Sequence, residues 1–413
     1  MSLIFRKSLQ NTMNLNRSKF TFKFSEPPIF DKFTLLLFLI MKRILILCTT
    51  LPHYRKDFFT LLRTELAKQG IELVLIYGKP AVPSTLNENE VGFGWAKLIP
   101  YKLFRIGKNE LIWQPCIKYL KEKDLVVVES ANRLLINYFL IFARHFSFYK
   151  LAFWGHGRNL QIDIGDFRNR FKYLFINKCD WWFGYTNGTK EFLMDKKYPE
   201  KRITIFQNSI DTIGLRKNYN NIDANEINAL KVQLKINSCI TGIFCGAMYK
   251  GKNLDFILET CQRVKQKIPE FNMIFIGSGM DSFKVEEASK SHNWIHYVGP
   301  KFGIERVIYF KISLIQIMPY YVGLGILDSF AMETPIVTTS NPYHGPEIIY
   351  LNNGINGIMT KDNINDYSQA VIETLKTKKY LDLIKGCKLS AEKYTLESMV
   401  ENFKNGIIEC LSS

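Results

Sequence analysis

The chain has 413 residues, 47% hydrophobic, 14% aromatic and 23% charged, which excludes a mini-protein and a globally disordered chain and suggests two or three domains. Its 55 lysines and arginines against 38 aspartates and glutamates give a formal net charge of +17. The surplus is uneven: 6 basic against 2 acidic residues in 1–40, 27 against 15 in 41–210, and 22 against 21 in 211–413.

A basic field of this kind attracts nucleic acid, anionic lipid or phosphorylated substrates, and composition does not choose among them. The eight cysteines are scattered and include no C-x-x-C pair, and the six histidines form no ligand cluster. Neither a zinc site nor a disulfide framework is expected, and a reducing compartment suits the free thiols.

Residues 1–32 are basic, polar and aperiodic, and the apolar run FTLLLFLI follows over Phe33–Ile40. That run is far short of the ~20 residues needed to span a bilayer, and no small-residue cleavage site follows it. Residues 1–40 are therefore read as an N-terminal extension outside the fold, with a membrane-touching segment as the alternative.

From Met41 short apolar runs alternate with amphipathic ones. KRILILC reads as a strand, DFFTLLRTELAKQG as a helix and IELVLIYG as a strand. DLVVVES (strand), RLLINYFLIFARHF (helix), KLAFWGHG (strand) and RITIFQNSI (strand) continue the series. Strands separated by helices of this length indicate βαβ units and a parallel sheet covered on both faces.

The polar, asparagine-rich stretch over residues 211–235 reads as a linker. The alternation then restarts with TGIFCGA, LDFILETCQRVKQKI, FNMIFIG, WIHYVGP, ERVIYFKIS, LIQIMP and PIVTT. The expected organisation is a first doubly wound domain over 41–210, a linker over 211–235, and a second domain over 236–390. A final helix over 391–413 is able to cross back to the first domain. Ligands in such sheets sit beyond the carboxyl ends of the strands.

Three strand-end segments carry chemistry. In GAMYKGKNLD a strand ends at Gly246, a loop brings Lys250 and Lys252, and a helix opens, a combination suited to phosphate. The alternative is an ordinary turn with solvated lysines. In VGLGILDSF, Gly323, Leu324 and Gly325 lie between strand and helix, where backbone can approach a ligand. Asp328 follows in the first helical turn, able to accept sugar or ribose hydroxyls, or merely to balance the helix dipole. In WGHG, His156 ends a strand between glycines, beside a ligand or satisfying backbone groups.

Taken together, LPHYRKDFF, WGHG, WWFGYTNGTKEFL, NSIDT, FCGAMYKGKNLDFIL, IFIGSGMD, VGLGILDSFAMETPIVTT and HGPEIIYLNNGINGIM follow one another in an order that resembles the retaining, nucleotide-sugar-dependent glycosyltransferases of family four, the "glycosyl transferases group 1" type. The resemblance runs from Met41 to about residue 405. It implies a GT-B fold: α/β, with two Rossmann-like doubly wound domains facing a central cleft.

By the resemblance, His156 lies beside the transferred sugar, Lys252 contacts the donor diphosphate, and Asp328 holds the ribose hydroxyls. Gly246, Lys250, Tyr320, Gly323 and Leu324 complete the donor side. His53, Tyr54 and Arg55 of LPHYRKDFF face the acceptor. Two positions depart from the family pattern: Tyr320 stands where a glutamate usually grips the sugar, and Ala247 where an arginine is common.

The implied activity is transfer of a sugar from a nucleotide-diphosphate sugar to an acceptor hydroxyl with retention, in bacterial cell-surface polysaccharide synthesis. No metal or other cofactor is expected, because lysine and a helix terminus can stabilise the leaving diphosphate. Expected partners are the nucleotide sugar, a glycan or lipid-linked acceptor and an anionic membrane surface, with no nucleic acid. The expected location is cytoplasmic, at the inner face of the cell membrane. An epimerase or phosphorylase of the same fold and a catalytically silent sugar-nucleotide binder are the alternatives.

Overall fold

The apolar runs fold as the strands of two parallel sheets. A computed structural model describes residues 41–79, 94–107, 109–147, 149–157, 170 and 173–413, so the extension expected over residues 1–40 lies outside the described residues. In the first lobe, β1 (Lys42–Cys48) leads through a 3-10 turn, His53–Arg55, into α1 (Lys56–Ala67) and β2 (Ile71–Tyr77). A short edge strand β3 (Lys97–Leu98) and an antiparallel ribbon of β4 (Lys102–Ile106) and β5 (Asn109–Trp113) follow. Then come β6 (Leu125–Glu129), α2 (Leu135–Ala143), β7 (Lys150–Gly155), β8 (Trp181–Gly184), α3 (Asn187–Asp195) and β9 (Ile203–Ile205).

The sheet order is β3-β2-β1-β6-β7-β8-β9, with every pairing parallel. Ile44, Leu45 and Ile46 are all fully buried, so neither face of β1 meets water. That explains the unbroken apolar run where an open sheet would alternate.

The stretch expected as a linker over 211–235 is instead mostly helical: α4 (Thr212–Asn221) and α5 (Ala224–Gln233). Asp211 caps α4 through the Gly214 amide, and Asp223 with Glu226 forms a reciprocal capping box on α5. Leu215, Tyr219 and Leu230 enter the core of the second lobe. Asparagine-rich composition hid these helices because few of their residues are apolar, two of those, Ile213 and Val232, are exposed, and their end groups are satisfied locally.

The second lobe continues with β10 (Thr241–Cys245), α6 (Leu254–Lys267), β11 (Asn272–Ile276), α7 (Ser282–Ser291) and β12 (Ile295–Tyr297). It adds α8 (Val307–Lys311), β13 (Ile315–Ile317), α9 (Gly325–Ala331), β14 (Ile336–Thr339) and β15 (Gly357–Thr360). Its sheet order is β12-β11-β10-β13-β14-β15, again parallel. Helices α10 (Ile364–Lys376), α11 (Tyr380–Lys393) and α12 (Leu396–Ser412) end the chain.

Helix α12 buries its apolar face in the first lobe. Phe403 stacks on Phe183 at 4.2 Å between ring centres and meets Phe58, Trp154 and Phe206 at 5.3–6.1 Å. Residues Lys42–Ser413 thereby form one compact unit.

Both sheets reverse their strand order beside their first strand, between β1 and β6 and between β10 and β13. Such a reversal opens a crevice at the carboxyl ends of those strands. The segments leaving these strands are His53–Arg55, Glu129, Gly246–Lys252 and Tyr320–Leu324. Topology thus gathers residues that lie far apart in the chain.

Candidate active site

On the side of the second lobe, Lys252 closes a 3-10 turn after β10 and is only 8% exposed. Its Nζ donates to the Tyr321 carbonyl at 2.6 Å. Among the described residues it forms no ion pair with a carboxylate. Burial pulls its ammonium down to about 8. A buried cation whose only strong partner is a neutral carbonyl is suited to meet an incoming anion.

The loop carrying Lys252 is braced by Gly277 and Gly279. Their φ values of +136° and +156° are open to glycine, and a Cβ at either would stand 1.9 or 2.1 Å from the carbonyl oxygen of Gly246 or Met248. This close approach lets the Gly246 and Met248 amides donate to the Ile276 and Ser278 carbonyls. The G-S-G turn is therefore a backbone clamp on the loop that carries Lys252. Gly246 lies beside this clamp, and Lys250 remains exposed.

The Gly323-Leu324-Gly325 segment is fixed by His344. The Val322 amide donates to its Nδ1 at 3.0 Å, so the proton resides on Nε2, which donates to the Thr339 carbonyl at 2.8 Å. The Gly345 amide in turn reaches the Val322 carbonyl. Glu347, buried beside Gly323 and Gly345, takes a hydrogen bond from Asn208 Nδ2 on the connection out of the first lobe. Burial raises the Glu347 carboxyl, while Asn208 and the more distant Arg55 oppose that shift.

Asp328 lies in α9 and is buried, with Arg306 Nη2 2.7 Å from its Oδ1. Burial raises its carboxyl and the guanidinium counters it. The Cys245 thiol, at the end of β10, stands beside the same guanidinium and is also within electrostatic reach of Lys252. Lys252, Arg306 and Asp328 thus surround the end of one strand.

Tyr320, expected on the donor side, commits its hydroxyl to Asp362 and Asn253, and its ring meets Phe256 at 5.2 Å. Burial and then Asp362 push its phenol up to about 12. The position thus holds a hydrogen-bonded phenol tied into its own lobe where the family pattern places an open carboxylate.

The three residues expected to face an acceptor separate. His53 and Tyr54 are open to solvent. The His53 ring meets Phe302 of the second lobe at 5.6 Å, and partial burial followed by Arg306 lowers its imidazole. Arg55, by contrast, turns inward and is 6% exposed, apart from the solvent-facing His53 and Tyr54. Its guanidinium lies within 5.4–5.9 Å of the ring centres of Tyr54, Phe58, Trp154 and Tyr185, and 4.0 Å from Met399 Sδ. Aromatic faces on all these elements give a buried cation a favourable electrostatic setting.

His156 follows β7 and sets its ring edge-on to Tyr185 at 4.3 Å. Tyr185 is also a neighbour of Arg55 and within reach of Glu347. A chain of adjacent groups therefore runs from His156 through Tyr185 and Arg55 to Glu347 and Gly323.

Glu129, Arg306, His344 and Glu347 had no site role assigned from sequence, although His344 and Glu347 lie within HGPEIIYLNNGINGIM. Glu129 ends β6 at the switch point, accepts from Thr49 Oγ1 at 2.7 Å, and is raised by burial. An acid ending the run VVVE at a strand terminus was a usable signal. Arg306 had none, because its contact with Asp328 spans 22 residues and depends on the fold.

Residues 240–377 match the family model described as Glycosyl transferases group 1. A curated relative from Haemophilus influenzae, named an uncharacterized glycosyltransferase, is 22% identical over 353 residues, covering 82% of this chain and 92% of the relative. Among solved structures, a glycosyltransferase from Rickettsia africae ESF-5 is similar with a TM-score of 0.64 and 17% identity, covering 90% of this chain and 98% of that one. Anabaena HepE in complex with UDP-glucose is similar with a TM-score of 0.63 and 11% identity, covering 89% and 99%.

Proposed function

The chain is a glycosyltransferase of the group 1 type, and from that premise we propose that it moves a sugar from a nucleoside-diphosphate sugar to a hydroxyl of a glycan or lipid-linked acceptor, with retention of anomeric configuration. The observation that carries this reading is Lys252, a buried ammonium held by a carbonyl and lacking a carboxylate partner among the described residues. Uridine nucleotides are the first donors to test, since HepE was solved with UDP-glucose.

In the proposed reaction the bond from the anomeric carbon to the distal phosphate oxygen breaks, and its electron pair stays on the phosphate. Lys252 neutralises the charge that develops there. The acceptor oxygen joins the anomeric carbon on the same face, and its proton passes to the leaving phosphate oxygen. His156 sits on the sugar side, Asp328 receives the ribose hydroxyls, and backbone at Gly323 and Leu324 faces the sugar and distal phosphate. His53 and Tyr54 meet the acceptor. No metal is proposed, because the cation is supplied by the chain; turnover unchanged by EDTA is the expected result.

The acceptor is proposed to belong to bacterial cell-surface polysaccharide synthesis at the inner face of the membrane. The basic first lobe and its exposed aromatic pair Phe142 and Phe146, 5.3 Å apart, suit an anionic surface. Among the described residues no helix is long and apolar enough to cross a membrane.

The test is a screen of nucleotide-sugar donors against lipid-pyrophosphate acceptors, read by mass spectrometry, with the product anomer assigned by NMR. Transfer with retained configuration is expected. An altered nucleotide sugar formed without acceptor would make the protein an epimerase, and failure of every nucleoside diphosphate to shift its melting temperature would sink the enzyme reading.

A further inference from the structure

Arg306 and Asp328 form the most deeply buried ion pair between side chains at the crevice: their side chains are 22% and 7% exposed and their atoms 2.7 Å apart. Among the described residues Arg306 is the carboxylate's one side-chain hydrogen-bond partner, and it engages Oδ1 alone. Arg306 Nε is buried without a hydrogen-bond partner, and the Cys245 thiol is the guanidinium's other side-chain contact. A single carboxylate in so dry a setting would take up a proton unless a cation stands against it.

The geometry points to Arg306 as a positioning residue that keeps Asp328 ionised and oriented, so that the free carboxylate oxygen accepts from the ribose hydroxyls of the donor. This rests on the reading of Asp328 as the ribose acceptor given above. Two hydroxyl donors call for an acceptor-only carboxylate; a protonated carboxyl would present a donor of its own and lose one of the two bonds. Arg306 thereby sets how strongly the site prefers a ribonucleotide to its deoxy counterpart.

Among the described residues, none of the cations nearby is placed to substitute for Arg306. Cys245 at the end of β10 faces the pair, and burial raises its thiol. Lys252 stands beyond Cys245 and is committed to the Tyr321 carbonyl. From α11, Lys388 pairs with Glu333, and Cys387 contacts Ser329. From α4, Tyr219 faces Glu333, and the 3-10 turn Pro346–Tyr350 brings Glu347, bonded to Asn208. Across the crevice His53 faces Arg306, which lowers the imidazole.

The experiment measures the affinity ratio of UDP to 2′-deoxy-UDP by calorimetry from pH 5.5 to 8.5. The wild type is expected to hold a constant preference of at least about tenfold. Arg306→Gln should keep that preference at pH 8.5 and lose most of it by pH 5.5, and Asp328→Asn should lack it at every pH. A ratio that stays flat with pH in Arg306→Gln, whether high or low, overturns the role of Arg306 while leaving the ribose reading intact. An Asp328→Asn protein that still prefers UDP overturns the ribose reading instead. Should Arg306→Gln not fold, carboxyl NMR of the unliganded protein decides: Asp328 should titrate at higher pH in Arg306→Lys than in the wild type, and equal midpoints overturn the proposal.

Discussion

Asn208 Nδ2 lies 2.5 Å from Glu347 Oε1, joining the connection out of the first lobe to the turn that supports Gly323 in the second. The same asparagine donates its amide to the Tyr185 carbonyl and accepts from the Tyr350 hydroxyl at 3.2 Å. One residue therefore ties the end of β8 to the turn beside Gly323.

Asn208→Ala leaves a buried carboxylate without its donor and should cost about 1–3 kcal/mol in urea unfolding. Glu347→Gln placed in that background should recover part of the loss, because a neutral amide is cheaper to bury than an anion. An additive double mutant would deny the coupling.

Lys252→Met should abolish detectable binding of nucleoside diphosphate while the melting temperature holds or rises. Its ammonium is held below its free value by burial, so the folded state binds fewer protons than the unfolded chain between about pH 8 and the usual lysine value of ~10.4. Stability attributable to this group therefore increases with pH across that window, whereas donor affinity decreases above about 8 as the cation is lost. Calorimetry and thermal melts at pH 7 and 9 read the two opposite trends, and parallel trends would contradict the assignment.

His156→Ala should lower kcat by about 10²-fold or more while changing UDP affinity less than threefold. The ring meets Tyr185 edge-on, and the proposed role sets it against the transferred sugar and not against the nucleotide. Equal losses in turnover and nucleotide affinity would make WGHG a structural element.

Gly277→Ala places a methyl group 1.9 Å from the Gly246 carbonyl oxygen at a φ of +136°. The clamp on the Lys252 loop must open, and a stability loss of about 2 kcal/mol or more with weakened UDP binding is expected. Unfolding curves with and without UDP would show it. A variant that binds UDP normally would free Lys252 from dependence on the clamp.

Strand runs were legible because parallel strands covered on both faces must be apolar throughout, as in the ILIL of β1. The turn carrying Gly246 and Lys252 was legible because it falls between an apolar strand and an amphipathic helix. Helices α4 and α5 were not, since caps at Asp211 and Asp223 supply what their scant apolar residues do not. The inward turn of Arg55 was also hidden, because a basic residue in LPHYRKDFF reads as exposed until four aromatic rings from separate elements close around it. Arg306 illustrates the general obstacle: a partner 22 residues away becomes adjacent only after β13 takes its place beside β10.

Phe403, lodged among Phe58, Trp154, Phe183 and Phe206, has a consequence for the order in which the protein matures. As the ribosome releases the chain from its amino end, the earlier-synthesised lobe waits with an aromatic socket open until α12 has emerged. The lobe made first is therefore the last to be sealed, and a nascent chain stalled before residue 396 would present that socket to chaperones.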